Sequence, residues 1–191
     1  TYFAPLVKAA EEEGVSQVVF LSVQGAEKQS FIPHAKIEKL LRQSQLQWTF
    51  VRPSYFMQNL TTTLCDDIRE RDLIFLPSGR ARFLWIDVED IGRAVAAILA
   101  DPAAHAGQAY DLTGEELLNF TVVADLLSRY LGRKIRYQSP NLLHFIWKKR
   151  QEGHAFAYIF VLILLHYFPR FSAEPSISPM VERLTGEKPD T

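Results

Sequence analysis

Short apolar segments along the chain predict buried β-strands. Residues 18–23 read VVFLSV, a continuous apolar run that is typical of a strand buried on both faces of a parallel sheet. Similar short runs follow at 48–51, 83–86, 109–113 and 135–138. The chain therefore contains the strands of a sheet, and helical sequence separates most of them.

Apolar positions between these runs recur at helical spacing. A helix is predicted over 6–13, with Gly14 as its C-terminal cap. A second helix starts at Pro33, with Ile37, Leu40 and Leu41 facing inward and the pair Glu38–Arg42 facing outward. Further helices are predicted over 56–69, from the capping residue Asp87 to Pro102, and over 120–131 between Asn119 and Gly132.

The alternation of strands and helices is typical of an α/β sheet with right-handed crossovers. Ligands of such sheets bind beyond the carboxyl ends of the strands. The segments 22–24 and 52–59 follow two predicted strands. They are therefore the first places to look for a binding site.

The longest apolar run covers residues 155–168 and reads AFAYIFVLILLHYF. It is shorter than the roughly 20 residues that a membrane-spanning helix needs. It also contains His166 and ends before Pro169. We therefore expect a buried or groove-lining helix and no membrane span; a surface that touches a membrane or forms a dimer is the alternative.

Composition narrows the class of protein. The 191 residues are 48% hydrophobic and 23% charged, which suits a soluble globular domain with a sizeable core. The net charge of −1 argues against direct binding of nucleic acid, which usually leaves a basic signature. No secretory signal pattern is visible at the start, so a cytoplasmic location is expected.

The cysteine and histidine positions predict neither a disulfide framework nor a metal site. Cys65 is the single cysteine, and we expect it to be a small buried hydrophobic residue. The remaining candidates show no metal-ligand spacing: His105, His144, His154 and His166. No G-x-G-x-x-G motif and no P-loop occurs either, so these residues alone contain no recognisable phosphate-binding loop.

Several segments taken in order resemble the NmrA-like family, atypical members of the short-chain dehydrogenase/reductase superfamily. They read VVFLSVQGA, HAKIEKLLRQSQLQWTFVRPSYFMQNL, FLWIDVEDIGRAVAAIL and YDLTG, and the tail LTGEKPDT resembles the family's C-terminal region. The resemblance implies a Rossmann-type parallel sheet with a small, mostly helical substrate region. It assigns residues 1–115 to the C-terminal part of the NAD(P)-binding domain and 116–191 to the substrate region, interleaved with the Rossmann core.

The resemblance also implies that the glycine-rich part of the sheet precedes Thr1, because the chain begins without Met in what would be the helix before the fifth strand. That part would carry the pyrophosphate site and the residue that selects NADP or NAD.

The catalytic pair of short-chain reductases is a tyrosine followed four residues later by a lysine. In this chain the two positions fall on Ser30 and His34. A serine hydroxyl has too high a pKa to replace the tyrosine without a dedicated base, and Pro33 disfavours a helix that would contain both residues. His34 in the first turn of a helix can still hydrogen-bond a ribose hydroxyl.

The resemblance and the strand ends together select candidate site residues. We expect the cofactor to contact two strand-end residues, the helix-start histidine and the turn after the second strand: Ser22, Val23, His34, Pro53, Ser54, Tyr55 and Phe56. Tyr55 is the candidate proton donor, although packing is the alternative. Asn59 and Trp85 are candidate substrate contacts, with a helix surface and the core as their alternatives.

These residues leave three functions open. The first is an NAD(P)H-dependent oxidoreductase acting on a quinone or a similar small electrophile, for which a weak proton donor is enough. The second is a redox sensor or transcriptional-regulator-type protein that binds the dinucleotide without turnover, with a homodimer or a regulatory protein as partner. The third is a cofactor-free interaction module.

Overall fold

The computed structural model describes residues 2–191. The chain divides into two compact units. The first comprises residues 2–56, 85–115 and 177–191, and the second comprises 57–84 and 116–176.

Strands and helices alternate through most of the chain. The strands are β1 (Gln17–Leu21), β2 (Gln47–Pro53), β3 (Tyr55–Phe56), β4 (Leu73–Phe75), β5 (Arg82–Ile86), β6 (Gln108–Leu112), β7 (Leu117–Asn119) and β8 (Arg136–Gln138). The α-helices are α1 (Phe3–Glu12), α2 (Pro33–Gln43), α3 (Cys65–Arg71), α4 (Val88–Ala100), α5 (Pro102–His105), α6 (Phe120–Leu131), α7 (Leu142–Gln151), α8 (Phe156–His166) and α9 (Met180–Thr185).

The first unit contains a parallel sheet in the order β1-β2-β6. The central strand β2 is buried on both faces over most of its length. The prediction of burial on both faces for the run 18–23 is wrong, because β1 lies at the edge of this sheet, is only half-buried and leaves Leu21 48% exposed. Phe50 packs with Val7 of α1 and Leu41 of α2, whereas the next residue, Val51, packs with Ile91 of α4 and other apolar residues. Successive side chains of a strand point to opposite faces, so β2 supplies both cores. This arrangement confirms the predicted α/β class.

A buried carboxylate joins α4 to the segment after α9. Asp90 is completely buried, and its Oδ2 accepts a hydrogen bond from the backbone N of Asp190 at 2.9 Å. Arg93 donates to the carboxylates of both Asp90 and Asp190. Burial is the main cause that raises the pKa of Asp90. The segment around residue 190 therefore contributes a polar contact to the interior of the first unit.

The second unit has an aromatic core between short strands and helices. β5 pairs antiparallel with β7, and β4 pairs parallel with β8. The rings of Phe75 and Phe145 stack at 5.9 Å, and those of Phe83 and Phe120 lie 5.3 Å apart. His166 of α8 packs near Phe83 and Phe120 and is almost completely buried.

The buried imidazole of His166 makes stability depend on pH. Burial lowers its pKa from 6.5 to about 4. Below pH 6.5 the unfolded chain takes up a proton that the folded chain does not bind until about pH 4. The neutral imidazole of His166 therefore gives its full contribution to stability above pH 6.5. As the pH falls from 6.5 to about 4, this contribution is lost and the free energy of unfolding decreases by about 3 kcal/mol.

Urea unfolding of the wild type and of His166→Gln at a series of pH values measures this effect. The difference between the two stability curves should be constant above pH 6.5 and should shrink towards pH 4. Parallel curves over the whole range would show that His166 ionises normally in the folded protein.

Most of the apolar run 155–168 forms α8, Phe168 begins a separate 3-10 helix at Phe168–Phe171, and less of the run is buried than the sequence predicted. In α8 the side chains of Ile159, Leu162 and His166 are buried, whereas Phe156 is 66% and Phe160 60% exposed. Within residues 2–191, no helix combines the length and apolar character required to cross a membrane.

Some predicted elements are wrong. Instead of a helix over 56–69, the chain forms β3, a 3-10 helix at Met57–Leu60 and then α3. The hydroxyls of Thr61 and Thr62 both donate to the carbonyl of Gln58, a contact that competes with regular helix formation. Cys65, expected to be buried, is only half-buried at the start of α3.

Candidate functional site

The carboxyl ends of β1 and β2 are joined by backbone hydrogen bonds. Ser22, the residue after β1, donates its N–H to the carbonyl of Val51 at 2.7 Å, and Gln24 donates to the carbonyl of Pro53 at 3.0 Å. Ser22 is buried and Val23 is half-buried. These contacts place two predicted site segments side by side, as expected for neighbouring parallel strands.

A buried ionic network supports the same strand ends. Glu38 of α2 accepts from Arg52 of β2 through both carboxylate oxygens, with Nε–Oε1 at 2.9 Å and Nη2–Oε2 at 2.6 Å. The Ser22 hydroxyl donates to Oε1 of Glu38 at 2.7 Å. Two parallel contacts between a guanidinium and a carboxylate fix geometry as well as charge. The network thus connects α2, β1 and β2 through side chains.

The electrostatics of the network favour the ionised pair. Burial opposes ionisation of Glu38, but hydrogen bonds from Arg52 and Ser22 outweigh it and lower the pKa of the carboxyl. The hydrogen bond to Glu38 raises the pKa of Arg52. Asp111, which is in register with Arg52 on β6, has its pKa raised by burial and by the charge of Glu27.

This network corrects one prediction and adds two residues. Glu38 was expected to form an outward pair with Arg42, but it is only 2% exposed and Arg42 contacts it at 3.4 Å from the surface side. The sequence analysis did not select Glu38 or Arg52 as site residues. The signal that could have found them is the charged Arg52 within the apolar strand sequence WTFVRP.

The chain changes its strand partner at residues 53–56. Pro53 ends β2, and Ser54 donates its N–H to the carbonyl of Leu112 at the end of β6. Tyr55 and Phe56 then form β3, which pairs in parallel with Trp85 and Ile86 of β5. The turn therefore spans the carboxyl ends of the sheet.

Aromatic packing restrains Tyr55. Its ring meets that of Trp85 edge-on, with ring centroids 4.8 Å apart. Tyr55 is half-buried, and Trp85 is only 3% exposed. Phe83 of the second unit is buried as well. Asn59 is half-buried in the 3-10 helix of the second unit.

The two residues at the tyrosine and lysine positions are separated by the start of α2. Ser30 is exposed in the turn before the helix, which begins at Pro33. His34 lies in the first turn, half-buried, with its ring 6.2 Å from that of Phe20. Ser30 and His34 therefore do not share a helical face, as Pro33 predicted.

No group of three or more His, Cys, Asp or Glu side chains within residues 2–191 is placed to bind a metal ion. The polar groups at the strand ends are instead a buried ion pair, hydroxyls and backbone amides. Such groups suit an organic ligand that lies against the backbone.

A parallel sheet with helical crossovers and a polar turn at its carboxyl edge defines a Rossmann-type α/β protein. Residues 4–159 match the NmrA-like family. The chain belongs to this family, which confirms the resemblance in its sequence.

The chain is also similar in sequence or in fold to individual known proteins. An NAD(P)H azoreductase from Xenophilus azovorans is 35% identical over 143 residues, which cover 73% of this chain and 49% of the azoreductase. The NADPH-dependent quinone oxidoreductase of Escherichia coli, solved with NADPH, superposes with a TM-score of 0.86 at 20% identity, covering 99% of this chain and 67% of that one. NmrA, a negative transcriptional regulator solved with NAD, gives a TM-score of 0.63 at 20% identity, covering 98% of this chain and 66% of that one.

At these identities the two structures establish the shared fold. The chain spans about half the length of the azoreductase.

Proposed function

We propose that the protein binds NADP or NAD and acts as an NAD(P)H-dependent oxidoreductase on a quinone or a similar small electrophile. The observation that carries the proposal is the turn at residues 53–56, where the chain leaves β2 and pairs with β5. This turn lies at the carboxyl edge of a parallel sheet, where ligands of such folds bind. Membership of the NmrA-like family and the 35% identity to an NAD(P)H azoreductase support the choice of cofactor.

The residues at this edge fit the nicotinamide half of the cofactor. The Ser54 hydroxyl is buried and has no hydrogen-bond partner within residues 2–191, so it remains available to a ligand if the turn adjusts. We assign the backbone from Pro53 to Phe56 to the nicotinamide and His34 to a ribose hydroxyl. When bound, the reduced nicotinamide supplies a hydride.

Ser22 and Val23 are proposed to line the same site at the end of β1. Because the Ser22 hydroxyl donates to Glu38, we expect it to act by fixing the strand end rather than by donating to a ligand. We further propose that residues 1–115 serve the cofactor and 116–191 the substrate. Asn59 and Trp85 stay proposed substrate contacts.

Replacing Tyr55 with phenylalanine tests its role as a proton donor. The variant keeps the edge-on ring contact with Trp85 and removes only the hydroxyl. If Tyr55 delivers a proton, kcat for quinone reduction should fall by roughly 10²-fold or more with little change in NADPH affinity. The measurement is NADPH oxidation with a panel of quinones, and an unchanged kcat would assign Tyr55 to packing.

Calorimetric titration of the full-length protein with NADPH and NADH tests the cofactor assignment independently of turnover. Binding of either dinucleotide supports the proposal, and His34→Ala should weaken it because a ribose hydrogen bond is lost. Absence of binding to both dinucleotides would overturn it and would favour the cofactor-free module.

The second candidate is a sensor or regulator that binds the dinucleotide without turnover. The separation of Ser30 from the helix of His34 favours it, because neither residue can reproduce a tyrosine–lysine pair. Tight NADPH binding with no oxidation by any quinone would select this function. A regulatory protein or a second copy is the expected partner, and the molar mass in solution distinguishes a homodimer from a monomer.

A further inference from the structure

A cleft of about 520 Å³ in the second unit is lined by three arginines. It lies between residues 79–82 and residues 169–175, and its charged lining side chains are Arg80, Arg82, Arg170 and Glu174. Its volume falls within the range of small-molecule sites in proteins. No residue of the proposed cofactor site contributes to it.

The positive charge in this cleft is only partly neutralised. Arg82 pairs with Glu174 at 3.2 Å and donates to the carbonyl of Leu117. Within residues 2–191, the guanidinium groups of Arg80 and Arg170 form no ion pair. Since arginine stays protonated, the cleft carries two positive charges without a protein counter-charge.

Two contacts restrict the exposed side chain of Arg170. Its guanidinium lies 5.0 Å from the ring centroid of Tyr167, within the range of a cation–π contact. It also lies against Gly79, where a Cβ would be 2.7 Å from its Nε. Any larger residue at Gly79 would displace the guanidinium.

The loop that carries Gly79 and Arg80 is fixed as well. The Gly79 N–H donates to the Ser139 hydroxyl at 2.8 Å, and the Tyr137 hydroxyl donates to the Gly79 carbonyl at 3.1 Å. A glycine is needed here because φ is +57°. The backbone on one side of the cleft is therefore ordered before any ligand binds.

We propose that this cleft binds the dianionic phosphate group of a small molecule, with Arg80 and Arg170 as the donors. The planar guanidinium presents two parallel N–H groups to phosphate oxygens, and two unpaired positive charges match a dianion better than a carboxylate. Arg82 is held back from the ligand by Glu174 and sets the wall of the cleft. This site goes beyond the proposed oxidoreductase function and does not depend on it.

Arginine side-chain NMR on the whole protein tests the proposal. The Nε–H signals of Arg80, Arg170 and the exposed Arg183 are assigned by their loss in Arg→Lys variants. Inorganic phosphate is then added at constant ionic strength, with saturating NADPH present in a parallel series. Saturable shifts of Arg80 and Arg170, with no shift of Arg183, are expected in both series.

Two comparisons make the result specific. Acetate should shift the same signals far less, and equal shifts would overturn the preference for a dianion. Phenyl phosphate distinguishes the ligand sources: tighter binding than inorganic phosphate indicates a phosphate ester, and equal binding indicates free phosphate.

The double variant Arg80→Ala/Arg170→Ala should weaken phosphate binding by roughly tenfold or more, because charge-assisted hydrogen bonds are lost. Arg183→Ala, an exposed arginine of the first unit, is the matched control and should change affinity by less than about twofold. Unchanged affinity in the double variant, or equal shifts at all three arginines in the wild type, would overturn the proposal. Failure to bind NADPH would leave these outcomes unaffected and would count only against the oxidoreductase function.

Discussion

Replacing Glu38 with alanine should reduce the free energy of unfolding by about 3–5 kcal/mol, because the change leaves Arg52 buried without its main partner. Glu38 is 2% and Arg52 7% exposed, so water cannot readily solvate the remaining guanidinium. The change also removes the acceptor of the Ser22 hydroxyl. Urea denaturation at neutral pH measures the effect.

The matched control for this prediction is Arg42→Ala. Arg42 contacts the same carboxylate at 3.4 Å, but its side chain is 42% exposed. Exposed pairs contribute at most about 1 kcal/mol, so this variant should be nearly as stable as the wild type. If Glu38→Ala lost as little stability as Arg42→Ala, the Arg52 guanidinium would still have a sufficient partner without Glu38. That partner would be Glu27, which lies 3.0 Å from it.

Acid should weaken the same network. Because the pKa of Glu38 is below its usual 4.5, its contribution is present at neutral pH and is lost as the pH falls below that value. The difference in stability between the wild type and Glu38→Ala should therefore shrink at low pH.

Gly114→Ala should cost more than about 4 kcal/mol, since a backbone atom blocks the space for the new methyl group. A Cβ at this position would lie 2.0 Å from the carbonyl oxygen of Trp85. The same oxygen accepts the N–H of Gly114 at 3.0 Å. The chain after β6 would have to move away from β5, with loss of that hydrogen bond.

Gly92→Ala provides the control for the glycine variant. Gly92 lies in the middle of α4, where a Cβ would meet no atom within 4 Å. Alanine is favoured over glycine in a helix by about 0.5–1 kcal/mol, so this variant should be more stable than the wild type. Thermal unfolding of both variants gives the comparison, and a normal melting temperature for Gly114→Ala would contradict the close approach at Trp85.

Elements whose signals are local were predicted well. Asp87 accepts from the N–H of Glu89 at the start of α4, and Asn119 and Gly132 flank α6 at the positions expected. Capping depends on a few neighbouring residues, so the sequence alone contains the information. The short strands β3, β4 and β7 were not predicted because two or three residues are too few to show a period.

The part of the candidate site that the sequence predicted is the part fixed by the order of strands and helices along the chain. Parallel neighbours bring Ser22 and Pro53 to one edge of the sheet, which the alternation of strands and helices implies. The pairing of Glu38 with Arg52 spans 14 residues and depends on how α2 is rotated against the sheet. A helical pattern that contains charged residues on more than one face does not determine that rotation.

The contact between Asp90 and Asp190 has a consequence for biosynthesis. The two residues are 100 positions apart, and the second unit is largely encoded between the segments of the first. At about 5–20 residues per second, a ribosome needs on the order of 5–20 s to add the residues that separate them. Until then the Asp90 carboxyl lacks the backbone donor that it has in the folded protein. The second unit can therefore begin to fold during translation before the first has all of its segments.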